Sequence, residues 1–166
     1  MATFTLPFFG QLELNSLEEY YSTKIEFNET IIGLDLNFED KNITLSKAKI
    51  IKKFINNILE FDLKNKTYIQ NDYKDADGDT VKFYLEFHLE ELDKQELAKI
   101  IDFNNVAIEP EQQLLNKLRL VRLGFYPNDD DIFAVFDYSF GKEITNQLVV
   151  VNINNKGKLY YLTMES

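Results

Sequence analysis

The segment from Asp75 to Glu86 spaces its carboxylates as a calcium-binding loop does. Asp75, Asp77 and Asp79 fall at loop positions 1, 3 and 5, and Glu86 falls at position 12, where such loops need a bidentate ligand. Segments with helical patterning lie on both sides of it. Calcium binding through segment 75–86 is therefore one alternative function, and calcium is the only cofactor that the sequence suggests.

Two positions of this segment depart from the calcium-loop pattern. Thr80 stands at position 6, where glycine normally takes the sharp bend, and Lys82 stands at position 8, where an apolar residue is usual. A helical stripe also begins at Val81, so Asp77 or Asp79 would serve equally well as the N-cap of that helix. The sequence leaves the metal site and the helix cap as alternatives.

His88 is the only histidine, and it lies in the middle of an apolar helical stripe. The chain has no cysteine, so zinc sites of the common kinds are not available to it. A single histidine can act as a general base beside a carboxylate, and Glu91 lies one helical turn away. A small enzyme of unrecognised type built around His88 is the second alternative, although no serine lies in a nucleophile motif.

A third set of residues suits protein binding. Asp129, Asp130 and Asp131 form an acidic turn after Pro127-Asn128, in ordinary turn chemistry. Tyr138 and Tyr160 lie on the strands predicted beyond it, and tyrosine is enriched at binding hot spots. We predict that an aromatic sheet face and this acidic turn make the contact region for a partner.

Composition determines what kind of partner to expect. The chain has 166 residues with 28 acidic and 18 basic side chains, which gives a formal charge of −10. Such a surface repels nucleic acid phosphates and anionic lipid, so neither nucleic acid nor membrane is expected as a partner. A protein more basic than this chain is expected instead. The lack of an N-terminal secretion signal and of cysteine favours a cytoplasmic location.

Period-two patterning predicts strands at the start of the chain. Phe4, Leu6 and Phe8 would share one face, and Pro7 would mark an edge strand. Residues 21–27 and 32–38 alternate on either side of the two-residue gap Asn28-Glu29, which predicts a hairpin.

Helical periodicity then takes over. The apolar stripe from Ile50 to Leu59 predicts a helix capped by Thr44 or Ser46, and a second helix or a bent continuation follows it. Further helices are predicted from Val81, after Asp93 in a capping box with Glu96, and from Pro110.

Alternation returns from residue 119 to the end, through strands near 121–125, 132–140, 148–153 and 159–164. The order strands, helices, strands predicts an α+β fold in which a mainly antiparallel sheet packs against a helical layer. With 45% hydrophobic residues and no linker or repeat, residues 1–166 are expected to form a single domain.

Several runs of sequence resemble the bacterial domain-of-unknown-function family number two thousand and four. They are Leu6–Leu14, Leu34–Phe38, Tyr84–Leu92, Phe136–Ser139, Thr145–Asn152 and Met164–Ser166. The resemblance implies a compact bacterial cytoplasmic protein, and it brings no catalytic residue with it. By analogy, small acidic proteins of this kind are often immunity proteins or accessory binders. We therefore expect a non-enzymatic, immunity- or inhibitor-like module that binds a protein.

Overall fold

The computed structural model describes residues 2–166. Five helices follow four strands and precede four more, which confirms the α+β prediction. The elements are β1 Thr3–Leu6, β2 Gly10–Glu13, β3 Tyr20–Phe27, β4 Thr30–Asn37, α1 Leu45–Asn56, α2 Ile58–Lys74, α3 Val81–Glu91, α4 Lys94–Leu97, α5 Pro110–Lys117, β5 Arg119–Phe125, β6 Ala134–Ser139, β7 Leu148–Ile153 and β8 Leu159–Glu165.

Strands β3 to β8 form one six-stranded sheet in chain order. Every neighbouring pair is antiparallel except β4 and β5, which are parallel. A parallel pair requires a crossover connection, and this crossover contains all five helices. The helices pack on one face of the sheet, where the ring centre of Phe54 in α1 lies within 6.4 Å of the ring centres of Phe125, Phe133 and Phe136.

The first long hairpin forms as predicted. Asn28 and Glu29 join β3 to β4, and both have positive φ, 48° and 66°. Such values belong to the type I′ turn, whose twist matches that of the flanking strands.

The extreme N-terminus differs from the prediction. Pro7, Phe8 and Phe9 form a turn between β1 and β2, which pair as a separate two-stranded sheet. Phe8 has φ 70° and is exposed, so it does not share a buried face with Phe4 and Leu6. The alternation was misleading because the chain reverses direction at residues 7–9. Gly10 follows this turn with a positive φ of 79°, which glycine adopts without steric strain.

The helix starts follow local chemistry in most cases. Thr44 caps α1 by accepting a hydrogen bond from the Lys47 amide at 3.2 Å, and Asp93 caps α4 through the Glu96 amide at 2.8 Å. The prediction for α3 was wrong: neither Asp77 nor Asp79 caps it. Asp72 of α2 does so instead, since its Oδ2 accepts from the Val81 amide at 2.8 Å.

No helix in residues 2–166 combines the length and apolar character needed to cross a membrane.

Candidate functional site: the uncovered face of the sheet

The second face of the six-stranded sheet carries no helix, and we call it the open face. Its residues follow from the strand register, in which Tyr20 pairs with Asn37, Asp35 with Gly124, and Asp137 with both Arg122 and Val150. Within the described chain, no helical residue lines either of the two grooves on this face. The open face is therefore the candidate binding surface of the sheet.

The first groove, which we call the acidic groove, has a volume of about 800 Å³. Its walls come from all six strands of the sheet and from the loops before β3, after β4 and after β5. Among residues 2–166, the acidic side chains that line it are Glu19, Glu39, Asp129, Asp137 and Glu165, and Arg122 is the one basic side chain. Carboxylates therefore outnumber cations five to one, and the acidic groove attracts positive charge.

The second groove, of about 690 Å³, lies beside β3 and the loop that follows β6. Its charged lining is more balanced and comprises Lys24, Arg119, Arg122, Lys142, Asp35, Asp137 and Glu143. The two grooves share Tyr20, Arg122, Asp137 and Leu148. Of these, Arg122 and Asp137 lie on β5 and β6, the two middle strands of the sheet.

Arg122 is the centre of a hydrogen-bond network. Its Nε and Nη2 donate to the two carboxylate oxygens of Asp35 at 2.7 and 2.9 Å, which makes a bidentate pair. Nη1 donates to Asp137 Oδ2 at 3.0 Å, and Nη2 also donates to the Tyr126 hydroxyl at 2.7 Å. Asn37 adds a hydrogen bond to Asp35 Oδ2 at 2.7 Å. The guanidinium is thus held rigidly between two carboxylates.

The two carboxylates of this network differ in how well they are satisfied. Asp35 accepts three hydrogen bonds, whereas Asp137 accepts a single one from residues 2–166, on Oδ2. Burial raises the pKa of Asp137 above its ordinary value, Arg122 opposes this, and the nearby charges of Asp35 and Glu165 add to it. Asp137 is therefore the incompletely compensated charge of the open face.

A β-bulge brings both arginines of the chain to the open face. Residues three apart in a regular strand point to opposite faces, but the register of β5 against β6 shifts between Leu120 and Arg122. Arg119 therefore pairs with Ser139 and Arg122 with Asp137, both on the open face. Sequence reasoning missed this network, because a bulge has no clear signal in the residues. The signal that could have revealed the network is that Asp35, Arg122 and Asp137 are charged residues within strands that are otherwise largely apolar.

Gly124 makes room for the Arg122–Asp35 pair. A Cβ atom at Gly124 would lie 2.8 Å from Arg122 Cζ and 2.9 Å from Asp35 Oδ2. We expect Gly124→Ala to lower the free energy of unfolding by about 1–3 kcal/mol, since the buried pair must shift. Gly33→Ala, on the neighbouring strand, is the control, because its nearest new contact is 4.0 Å away. Equal urea midpoints for the two variants would contradict this explanation.

The acidic turn predicted as a contact site lies beside the acidic groove. Asp129 lines the groove, and its Oδ1 accepts the amides of Asp131 and Ile132 at 2.9 and 3.0 Å. Asp130 and Asp131 are exposed next to it. Tyr160 is exposed on β8 at the sheet edge, with its ring 5.2 Å from that of Tyr161. Tyr161, which the sequence analysis did not single out as a contact residue, lines the acidic groove.

Tyr138 does not belong to this surface, which corrects the prediction made from the sequence. Its side chain is fully buried under the helices, and its hydroxyl donates to Asp62 Oδ1 of α2 at 2.7 Å. The aromatic face of β6 that carries Phe136 and Tyr138 is the core face. The alternate residues of β6, Val135, Asp137 and Ser139, point to the open face and are polar or aliphatic.

The structure does not bring the predicted calcium ligands together. Among residues 2–166, no three acidic or histidine side chains are placed to hold one metal ion. Asp75 is the C-cap of α2, and its Oδ1 accepts a hydrogen bond from the Asp77 amide at 3.0 Å. Glu86 lies exposed within α3. The aspartates of this segment organise the loop between two helices.

His88 is buried, and both of its ring nitrogens are engaged. The Tyr84 carbonyl, 2.7 Å from Nδ1, can only accept, so Nδ1 carries the proton. Burial lowers the pKa of His88 against the opposing effect of the Tyr84 hydrogen bond. In the neutral ring, Nε2 accepts from the Thr145 hydroxyl at 2.8 Å. This pair attaches the loop after β6 to α3, and sequence reasoning missed Thr145 because it is 57 residues away.

Comparisons with protein families, with curated proteins and with solved structures found no match.

Proposed function

We propose that this protein is a non-enzymatic binding module that docks a more basic protein on its open face, as an immunity-type inhibitor does. The observation that carries the proposal is the one-sided helical layer. It leaves a six-stranded sheet with two grooves open on the other side. A folded partner or an extended segment of one fits such a surface, and concave sites of this kind are the usual places for ligands.

Charge supports a basic partner. The acidic groove and the Asp129 to Asp131 turn concentrate negative charge on the same side of the molecule. Opposite charges steer association and suppress wrong partners, and the effect is screened beyond about 8 Å at physiological ionic strength. The same field acts against nucleic acid and against anionic lipid surfaces.

Exposed aromatic and aliphatic side chains support protein rather than a small ion as the ligand. Tyr20 and Tyr161 line the acidic groove and are both exposed, and Ile31 is exposed in the second groove. Tyrosine offers a large contact area with a polar end, which suits a hot spot surrounded by charged residues.

Two matched triple variants test the location of the binding surface. The first variant replaces Asp129, Asp130 and Asp131 by Asn, which removes three negative charges beside the acidic groove. Asp75, Asp77 and Asp79 replaced by Asn remove the same charge from the α2–α3 loop, so the net charge of the two variants is equal.

The measurement is affinity capture from the lysate of the source cell at low and high salt, with quantitative mass spectrometry and then titration of the captured protein. We expect a basic protein that salt releases, that the α2–α3 variant retains, and that the groove variant binds about tenfold more weakly. Equal binding by the two variants would show that the partner docks elsewhere, and an acidic partner would contradict the charge argument.

A further inference from the structure

We propose that Asp137 is the receptor for one basic side chain, a lysine or arginine of the docked protein, which inserts into the acidic groove. This inference rests on the proposed function and specifies what the groove recognises. The buried and singly hydrogen-bonded carboxylate of Asp137 is the observation behind it.

The first step is the charge imbalance at the floor of the groove. Arg122 lies between two carboxylates whose side chains are each only 6% exposed. One guanidinium cannot neutralise both, and Asp35 takes its bidentate side. Asp137 Oδ1 accepts no hydrogen bond from residues 2–166 and is not one of the fully buried unpaired atoms there, so it is open to the groove that Asp137 lines. A second cation would complete the network.

The second step excludes an anionic ligand. Four donor contacts of Arg122 are already made to Asp35, Asp137 and Tyr126, so its guanidinium has little left to offer a phosphate or a carboxylate. The groove around it is lined by further acidic groups, including Glu19 and Glu165. An anion would meet repulsion there.

The third step favours an organic cation over a metal ion. Within the described chain no three acidic or histidine side chains are grouped as metal ligands, and a hard divalent cation requires several oxygen ligands. A guanidinium or ammonium group needs only one carboxylate at hydrogen-bond distance.

The fourth step concerns the stem of the inserted side chain. Leu148, Val150 and Tyr161 line the same groove as Asp137. Lysine and arginine pack their methylene stems along such apolar surface while the charged end reaches a carboxylate. The aromatic ring of Tyr161 adds a surface on which a cation can stack. A cation beside Asp137 would also offset the effects that raise the pKa of this carboxyl, which are burial first and then repulsion from Asp35 and Glu165.

The test uses the whole protein and three short peptides. They are N-acetyl-Gly-X-Gly-amide with arginine, with lysine, or with citrulline, which keeps the shape of arginine without its charge. Binding is followed by proton–nitrogen NMR, in which the chain shows only two arginine Nε–H groups, those of Arg119 and Arg122. We expect the arginine and lysine peptides to shift the Arg122 Nε–H signal and the amides of Asp137 and Val150, and citrulline to shift none of them.

Variants complete the test. Asp137→Asn is expected to weaken binding of the arginine peptide about tenfold, as the loss of a charge-assisted hydrogen bond would. Glu165→Gln, at an exposed position, is expected to weaken it about threefold through charge alone. Asp77→Asn removes an exposed charge on the α2–α3 loop that lines neither groove, and its affinity should equal that of the native protein.

The inference is overturned if the cationic peptides cause no shifts, if citrulline shifts the same signals, or if Asp137→Asn binds the arginine peptide as tightly as the native chain. Peptide binding at Asp137 without any captured protein partner would instead contradict the proposed function. If a basic protein is captured and its affinity for the Asp137→Asn variant equals its affinity for the native protein, the proposed function stands and only this inference is wrong.

Discussion

Asp35→Asn is expected to lower the free energy of unfolding by about 3 kcal/mol, at the lower end of the range for breaking a buried ion pair because Arg122 is partly exposed. Asparagine keeps the shape of the side chain but loses the charge. In the native protein, Arg122 Nε and Nη2 donate to the two Asp35 oxygens at 2.7 and 2.9 Å. The asparagine amide has only one oxygen, so its NH₂ group faces one of these two donors and that hydrogen bond is lost. The Asn37 donor loses its carboxylate acceptor as well. Urea denaturation at pH 7 measures the effect.

Asp137→Asn is the matched control for this prediction. It removes the same charge from the same network, yet Arg122 keeps its bidentate partner and the burial penalty of a second carboxylate disappears. We expect its stability at pH 7 to lie within about 1 kcal/mol of the native value. If both variants lose the same free energy of unfolding, the two carboxylates are equivalent, and Asp137 is not the less compensated of the two.

The pH dependence of the same pair of proteins provides a second readout. Since the pKa of Asp137 is raised in the folded state, the native protein holds that proton more tightly than the unfolded chain does. The protonated Asp137 therefore adds to the free energy of unfolding. This contribution is fully present below the pKa of the unfolded chain, about 3.9, and is lost as the pH rises through the pKa of Asp137 in the folded protein. Asp137→Asn should gain stability relative to the native protein between pH 4 and neutral pH. A constant difference across this range would contradict the raised pKa.

Phe54→Ala is expected to cost about 4 kcal/mol, because it leaves a large cavity where the helices meet the sheet. Phe54 stacks on Phe61 with ring centres 4.5 Å apart and contacts the rings of Phe125, Phe133 and Phe136. It thus joins α1, α2 and two segments of the sheet. Thermal and urea unfolding measure the change.

Phe83→Ala provides the control with the same chemical change. Phe83 lies on α3 with 58% of its surface exposed, so its removal should change stability by at most about 0.5 kcal/mol. Similar losses for both variants would mean that Phe54 does not join the helical layer to the sheet.

Local sequence predicted much of the fold because its signals act over a few residues. The Asn28-Glu29 hairpin, the Thr44 and Asp93 caps and the start of α5 at Pro110 depend on backbone geometry within one turn of chain. The N-terminal prediction failed at Phe8 for a related reason, since alternation over five residues does not reveal a chain reversal between them.

The candidate site was predicted only in part. The acidic turn and Tyr160 lie exposed beside or near the acidic groove, but Tyr138 lies on the opposite, buried face. Alternation distinguishes the two faces of a strand without indicating which one the helices will cover when both carry apolar residues. In β6 the alternation does separate Phe136 and Tyr138 from Asp137 and Ser139, but aromatic residues suit a binding surface as well as a core, so the sequence alone did not assign Tyr138 to the buried face.

The sequence by itself determined the α+β order of elements, several turn and cap positions and the net negative charge. Only the tertiary structure decided which sheet face stays open and that Asp35, Arg122 and Asp137 meet there. Asp35 and Arg122 are 87 residues apart and meet through the single parallel pairing of β4 with β5. The bulge in β5 then turns Arg122 toward Asp137. Pairings over such distances depend on how the whole chain packs, whereas caps and turns depend on neighbouring residues alone.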